Sequence, residues 1–342
     1  MDVDELRCDE ETTKAPKPHD VLWFPDGNVV LATDLYLFKV HKSLLSLHSS
    51  VFKDMFELSN VGDSAAGESA GEKSQDAYDG LPLITLVGDK GEDVVHLLRT
   101  VFEIRYYDYH SDKTPLDIVV ALLLLSTKYD FKDIRTNVIL QIIRQYPTDL
   151  KDYDLVDDDT SLLFDDHRVN CHFALLGAAY RTNAHVLFPT LYFACSKNSI
   201  QHIIEESTRR GVPAECLYAL LEGRERLLLN FYKQAASMER MVEAATAHIT
   251  CIRGGNDRTS CLRDLLLSGI FFGEFSTDVN LHFVRRSPEM FDFFNQACET
   301  CKTFMEGRIA WKRNAVWDKL PSNFGCPGWN VIREQLGEMA ES

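Results

Sequence analysis

The chain has 342 residues, of which 45% are apolar and 26% charged, and its formal net charge is −16. That length predicts two domains, each with enough apolar residues to build a core. An acidic chain repels phosphate backbones, and its basic residues come as pairs such as Arg209-Arg210 and Lys312-Arg313 and not as clusters, so direct nucleic-acid binding is not expected.

The longest apolar run, Ile118 to Leu125, is eight residues, against the roughly 18 of a membrane span. The first residues, MDVDELRCDEETTKAPKP, are acidic and polar and lack the basic and apolar regions of a secretion signal. The expected location is therefore the cytoplasm or the nucleus, with no membrane partner. There the nine cysteines are read as thiols or metal ligands, not as a disulfide framework.

Residues 1–18 read as a disordered tail ended by Pro16 and Pro18. Val21 to Phe24 reads as a strand, and Pro25-Asp26-Gly27-Asn28 as a turn. Val29 to Thr33 and Leu35 to Val40 continue as strands. Ser43 is placed to cap a helix over Leu44, Leu45 and Leu47. Ser49 or Ser50 is placed to cap the next, with Val51, Phe52, Met55 and Phe56 on one face. Residues 60–80, rich in Gly, Ser, Ala and acid, read as a disordered insert.

Leu81 to Val87 is a predicted strand. Glu92 to Tyr106 is a predicted amphipathic helix with Val94, Val95, Leu98, Val101 and Phe102 inward. Leu116 to Tyr129 reads as a core helix, and Asp133 to Tyr146 as a helix ended by Pro147. Residues 148–166, with Asp157-Asp158-Asp159, read as an acidic connector. Residues 167–342 read as a mainly helical domain. Its predicted helices are His172 to Tyr180, His185 to Cys195, Ile200 to Glu206 and Ala214 to His248, the last opened by Pro213.

In that last helix Leu217, Leu221, Arg224, Leu228, Phe231, Ala235, Met238, Val242, Ala245 and Ile249 alternate steps of four and three, a heptad seam with one polar interruption. The seam packs either on its own domain, which is the commoner arrangement, or in an intermolecular coiled coil. Trp311, Trp317 and Trp329 are expected to anchor the end of the chain. Ligand binding by this aromatic group is the alternative.

Residues 19–147 resemble the BTB/POZ domain. The resemblance rests on Asp20-Val21 opening the first strand, Val40-His41-Lys42, and Ser49-x-x-Phe52-x-x-Met55-Phe56. Leu83-Ile84-Thr85-Leu86 and Thr127-Lys128-Tyr129-Asp130-Phe131 add to it. The whole chain is also similar to the expanded BTB proteins of mushroom-forming fungi. The fold class so implied is α+β: a small sheet flanked by helices, followed by a mainly α-helical C-terminal domain.

The resemblance implies an interaction module. It places Asp20 near Lys42, in a groove that receives partner peptides or simply as a structural pair, and gives His41 the ordering of the loop-to-helix corner. It places a cullin-docking surface at Phe102, Tyr106, Tyr107 and Tyr129, although Arg105-Tyr106-Tyr107-Asp108-Tyr109-His110 replaces the family's short turn. The partners implied are other proteins, a cullin or a co-repressor among them. A homodimer would use the hairpin helices or the long helix, because the first 19 residues offer almost nothing apolar to exchange.

His248-x-x-Cys251 and Cys298-x-x-Cys301 have ligand-like spacing for structural zinc, with Cys261 in reserve. The same thiols could instead simply face a core. Catalytic signatures are missing: there is no Gly-rich phosphate loop, G-x-S-x-G elbow or H-E-x-x-H. Cys251 to Arg258 has six intervening residues, one more than the phosphatase loop it superficially matches. The expectation is a non-catalytic scaffold or adaptor. The rivals are a transcriptional co-regulator and an enzyme of unrecognised type in the second half.

Overall fold

The computed structural model describes residues 15–61, 77–245, 251–252, 261 and 297–341. The chain is mixed α+β. It has a small N-terminal sheet and a helical C-terminal region. It divides into two compact units, one running to Asp108 and including Asp117–Arg135, the other formed by Tyr109–Leu116 and the chain from Thr136 onward.

The first unit is built on β1 (Lys17–Trp23), β2 (Val29–Ala32), β3 (Tyr36–Val40), β4 (Ala77–Tyr78) and β5 (Leu81–Thr85), in the order β1-β3-β2-β5-β4. β2 is the central strand, antiparallel to β3 and parallel to β5. All four of its residues are buried, as expected of a strand covered on both faces. Val30 and Ala32 share one face with Leu37, beneath Trp23, Tyr78, Leu81 and Leu83.

Two sequence expectations shift here. β1 begins at Lys17, not Val21, and takes in Pro18. It lies at the sheet edge with β3 as its neighbour, where a residue lacking an N–H costs no ladder bond. The insert reading to Gly80 overran a hairpin. β4 and β5 are joined by Asp79 and Gly80, at φ 48° and 76°, the Asp-Gly turn that suits the twist of paired strands. Residues 1–14 and 62–76, the bulk of the expected tail and insert, lie outside the described residues.

The helical hairpin is α1 (Lys42–His48) and α2 (Ser50–Val61). Ser43 sits inside α1 and His41 takes the capping position, so the expected Ser43 cap does not form. Ser49 does cap α2. Its Oγ accepts from the Phe52 N–H at 3.0 Å and donates to the Tyr129 carbonyl. Phe52 then stacks on Tyr129 at 4.8 Å and meets Phe56 and Phe131 at 5.8 and 6.0 Å. Burying each such ring contributes roughly 1.5–3 kcal/mol. α3 (Gly91–Phe102) ends at Glu103, four residues before Tyr107, and α4 (Leu116–Lys128) follows.

The division between units falls within α5 (Lys132–Gln145) and not at Pro147. The expected acidic connector is folded. Asp149 caps α6 (Leu150–Val156), which buries Leu150 and Tyr153, and the hairpin of β6 (Leu162–Leu163) and β7 (Asp166–His167) buries Leu163 and Phe164. The acid run hid the apolar residues spaced around it. α7 (Arg168–Arg181), a 3₁₀ turn at His185–Leu187, α8 (Phe188–Ser196), α9 (Ile200–Arg209) and α10 (Ala214–Ala245) follow. Beyond them come α11 (Glu299–Asp318), α12 (Leu320–Asn323) and α13 (Trp329–Glu341).

α10 packs within its own unit, against α8, α9, α11 and α12. Its buried face is Cys216, Leu220, Gly223, Arg224, Leu227 and Phe231, while Leu217, Leu221 and Leu228 of the predicted seam are only half-buried. Two residues explain the difference. Phe324 lies over Gly223 so closely that a Cβ there would stand 2.0 Å from its ring. Arg224, 8% exposed, donates to the Ser196 and Asn198 carbonyls at 3.2 and 3.3 Å, closing the open end of α8. The side chains of Ala235, Met238, Val242 and Ala245 are not described, and Ile249 lies outside the described residues.

Both residues make tests whose sign is opposite to the seam reading. Arg224→Leu completes the heptad but orphans two carbonyls, and it should destabilise the chain by about 2–4 kcal/mol in urea unfolding. Gly223→Ala raises helix propensity by about 1 kcal/mol, yet should lower stability by about 1–3 kcal/mol through Phe324. A gain in midpoint for either variant would refute this packing.

Candidate functional site

The expected partner surface lies on the first unit, and the structure distributes its residues. Asp20 is exposed on β1 and makes no ion pair with Lys42. The register explains this. Pro18 stands level with Leu37 and Trp23 with Lys39 on the parallel strand β3, so Asp20 lies beside the Leu37–Lys39 stretch, short of the end where Lys42 begins α1. The Lys42 amide instead donates to Asn28 Oδ1 at 2.8 Å, and its ammonium stands 5.8 Å from the Phe56 ring centre. The carboxylate at the loop-to-helix corner is Asp26, whose Oδ1 is 3.2 Å from His41 Nε2.

Phe102 is half-buried against Phe24, at 5.1 Å, beside the same His41. Tyr106 bonds His96 Nδ1 through its hydroxyl and lies under the Arg99 guanidinium at 4.2 Å. Arg99 in turn forks onto Glu103 through two 2.8 Å bonds. Tyr107 is half-buried in the loop after α3, next to the exposed Arg105 and Ile104. Tyr129 does not belong to any surface. It is 2% exposed, stacked on Phe52, and its hydroxyl donates to Asp89. Burial and that carboxylate push its pKa well above the ordinary tyrosine value.

The second constellation is built of cysteines. Cys251, Cys261, Cys298 and Cys301 bring their sulfurs within 4.8 Å of one another and could hold a metal ion. The Cys251 sulfur is 3.4 Å from that of Cys261 and 3.7 Å from that of Cys298. Cys251, Cys298 and Cys301 are buried, and Cys261 is partly exposed as a whole residue. Cys298 occupies the capping position of α11 and Cys301 its first turn, so the C-x-x-C pair wraps the helix start and faces one point.

Burial acts to raise the Cys298 thiol. The amide N–H groups of Cys301 and Ile252 donate to its sulfur, however, and hold it below the ordinary cysteine value. Burial pushes Cys261 and Cys301 up. His248, expected as a ligand, lies outside the described residues. Cys261, held in reserve by spacing arguments, is in the cluster. Its ten-residue distance from Cys251 matched no short ligand motif.

A third group was invisible in the sequence. Tyr146 Oη is 2.8 Å from His172 Nδ1, and His172 Nε2 is 3.4 Å from Asp159 Oδ1. Lys197 pairs with Asp157 and lies 3.6 Å from Asp159. The acid run thus serves as a counter-charge for the half-buried Lys197 and as a hydrogen-bond partner for the buried His172. His172 is 1% exposed and Tyr146 wholly buried, so the His-Tyr pair is closed to solvent and satisfies polar groups inside the core, while Asp159 at the end of the line is partly exposed. Trp317 and Trp329 are buried and stack at 5.4 Å as anchors, whereas Trp311 is exposed and anchors nothing.

No family model, curated protein or solved structure matches this chain. No helix among the described residues is long and apolar enough to cross a membrane.

Burial holds His172 below its ordinary value of 6.5. Above that pH it is neutral in both folded and unfolded chains. As pH falls below 6.5 the unfolded chain takes up a proton that the folded core resists, so stability is lost, at up to about 1.4 kcal/mol per pH unit from this one group. His19 and His96, lowered chiefly by burial as well, add to the same slope. His172→Gln should therefore lose less stability between pH 7.5 and 5.5 than the parent chain in urea titrations. Parallel pH profiles for the two would remove His172 from the account.

Proposed function

We propose that this protein is a non-catalytic interaction adaptor. Its first unit is of BTB/POZ type and captures a protein partner, and its helical unit contacts or presents another. The first unit has the strand pair, helical hairpin, further strand and helices that the resemblance implies, in that order, which supports the reading. Within it, the partner most compatible with the loop after α3 is a cullin-type ubiquitin ligase, which would make the chain a substrate adaptor. A co-repressor bound to the same unit would make it a transcriptional co-regulator.

One observation carries the reading. The loop from Glu103 to Asp108 holds Ile104 at 100% exposure, while Tyr106 and Tyr107 on the same loop are half-buried. A fully exposed branched aliphatic beside tyrosines and an arginine forms an apolar and aromatic group with the composition of a binding anchor. The base of the loop is fixed by the Arg99–Glu103 fork and by Tyr106 on His96. The anchor therefore projects from a rigid support, and less order is lost on binding. The cofactor in this reading is structural zinc. Four sulfur ligands fill a tetrahedral ion and leave no open position for water or substrate.

The test is quantitative retrieval of partners by tagged full-length chain from its native cells, with mass spectrometry. Ile104→Asp should cost the fold under about 0.5 kcal/mol, since the side chain touches nothing. It should reduce capture of the principal partner about 30-fold, as expected for an anchor contributing 2 kcal/mol or more. Tyr107→Ala should act in the same direction. Partners retained at the parent level by both variants would rule out this loop as the interface.

A further inference from the structure

The geometry points to a single zinc ion held by Cys251, Cys261, Cys298 and Cys301, closing the chain between α10 and α11. This deepens the cofactor part of the reading above, and it stands or falls independently of what the first unit binds.

Distance is the first argument. Zinc–sulfur bonds of about 2.3 Å in a tetrahedron set neighbouring sulfurs about 3.8 Å apart. The two sulfur separations of Cys251, 3.4 and 3.7 Å, lie slightly below that figure, and all four sulfurs fall within 4.8 Å of one another. A disulfide would need about 2.05 Å, and all four residues are free thiols. An iron–sulfur cluster places its own iron and sulfide atoms between the cysteines, and sulfurs this close leave room for one ion only.

The second argument is position. Cys298 is the capping residue of α11 and Cys301 lies in its first turn, so the partial positive charge of the helix start falls beside the sulfurs.

The third argument is charge. Zinc takes its cysteine ligands as thiolates, so four ligated sulfurs bring −4 and the divalent ion cuts the net charge of the site to −2, beside the positive end of α11. An all-sulfur shell excludes calcium and magnesium, which take oxygen. Among single first-row ions zinc binds more tightly than iron, and tetrahedral S4 is its usual structural site.

His248 is not needed, because four sulfurs already complete the shell. The ion joins Cys251 to Cys298 across 46 intervening residues, with Cys261 from within that stretch as a further tie. Because such a site does not exist in the unfolded chain, the free energy of metal binding becomes folding free energy for the helical unit.

The experiment uses the full chain, purified under reducing conditions without a polyhistidine tag. Plasma mass spectrometry counts the metal, and cobalt(II) replaces zinc for absorption spectroscopy. The expected result is one zinc per chain, and a cobalt form with the sulfur-to-metal charge-transfer band and strong d–d bands of a tetrahedral thiolate site. His248→Ala should keep the metal, while Cys261→Ser should lose most of it. Because a serine variant could fail to fold, thiol titration of the parent chain gives a second reading: four additional thiols should react after chelation and be protected before it. A parent chain without metal, iron in place of zinc, or fewer than four thiols protected would overturn the site. Metal kept in Cys261→Ser but lost in His248→Ala would overturn the ligand set.

Discussion

Helices that end inside a protein leave carbonyl groups without partners, and the helical unit depends on how those groups are met. Several are met by a long side chain from another element. Arg168 of α7 donates to the Gln145 carbonyl at the end of α5, at 2.7 Å. Arg224 of α10 closes α8, and Arg226 reaches the Asn323 carbonyl at the end of α12. The Trp329 indole of α13 donates to the Trp317 carbonyl at 2.7 Å, and the Trp317 indole donates to Thr148. A buried guanidinium is costly to desolvate, but here it sits against the negative end of a helix and replaces water that cannot enter. Arg168 gains further from the Tyr146 ring, 4.4 Å below it. These bonds connect elements far apart in sequence, so they fix which helices can be neighbours.

α11 shows what the arrangement achieves. Its last turn carries Trp317, which stacks on Trp329 and meets Tyr153 and Phe193 at an angle. Its first turn carries Cys298 and Cys301. In the proposed zinc site the helix is thus fixed at both ends by different physics, a metal at the positive end and indole packing at the other. Between the ends Met305 and Lys312 are buried, Lys312 donates to Ser237 and Arg313 pairs with Asp154, while Trp311 is exposed.

The first unit uses a smaller version of the same device. Ser49 caps α2 and holds the Tyr129 carbonyl, and Ser50 bonds the Asp130 carboxylate at 2.6 Å, so the hairpin and the end of α4 form one block. Asp130 adopts a positive φ of 53° there, and its side chain makes the local bond that offsets the strain. With the core so pinned, the loop after α3 can project apolar and aromatic residues without risk to the fold. That separation of rigid core from presented loop is the physical content of the adaptor reading.

Local sequence determined the elements. The alternation of β3, the amphipathic face of α3, the serine cap at Ser49 and the long helix from Ala214 all depend on residues within one or two turns of each other, so they were legible. Asp79-Gly80 was legible too, though the polar insert before it masked the hairpin. The C-x-x-C pair at 298–301 was legible as a candidate ligand pair for the same reason. Tertiary structure alone decided the rest. It turned α10 so that Leu220, Gly223 and Leu227, and not Leu217, Leu221 and Leu228, share the buried face with Arg224, because Phe324 packs over Gly223. It folded residues 148–166, because Lys197 and His172 bring partners for the acid run. It separated Asp20 from Lys42 by the register of parallel strands. And it added Cys261 to the sulfur cluster, since the fourth corner of a tetrahedron is fixed by position in space and not by spacing along the chain.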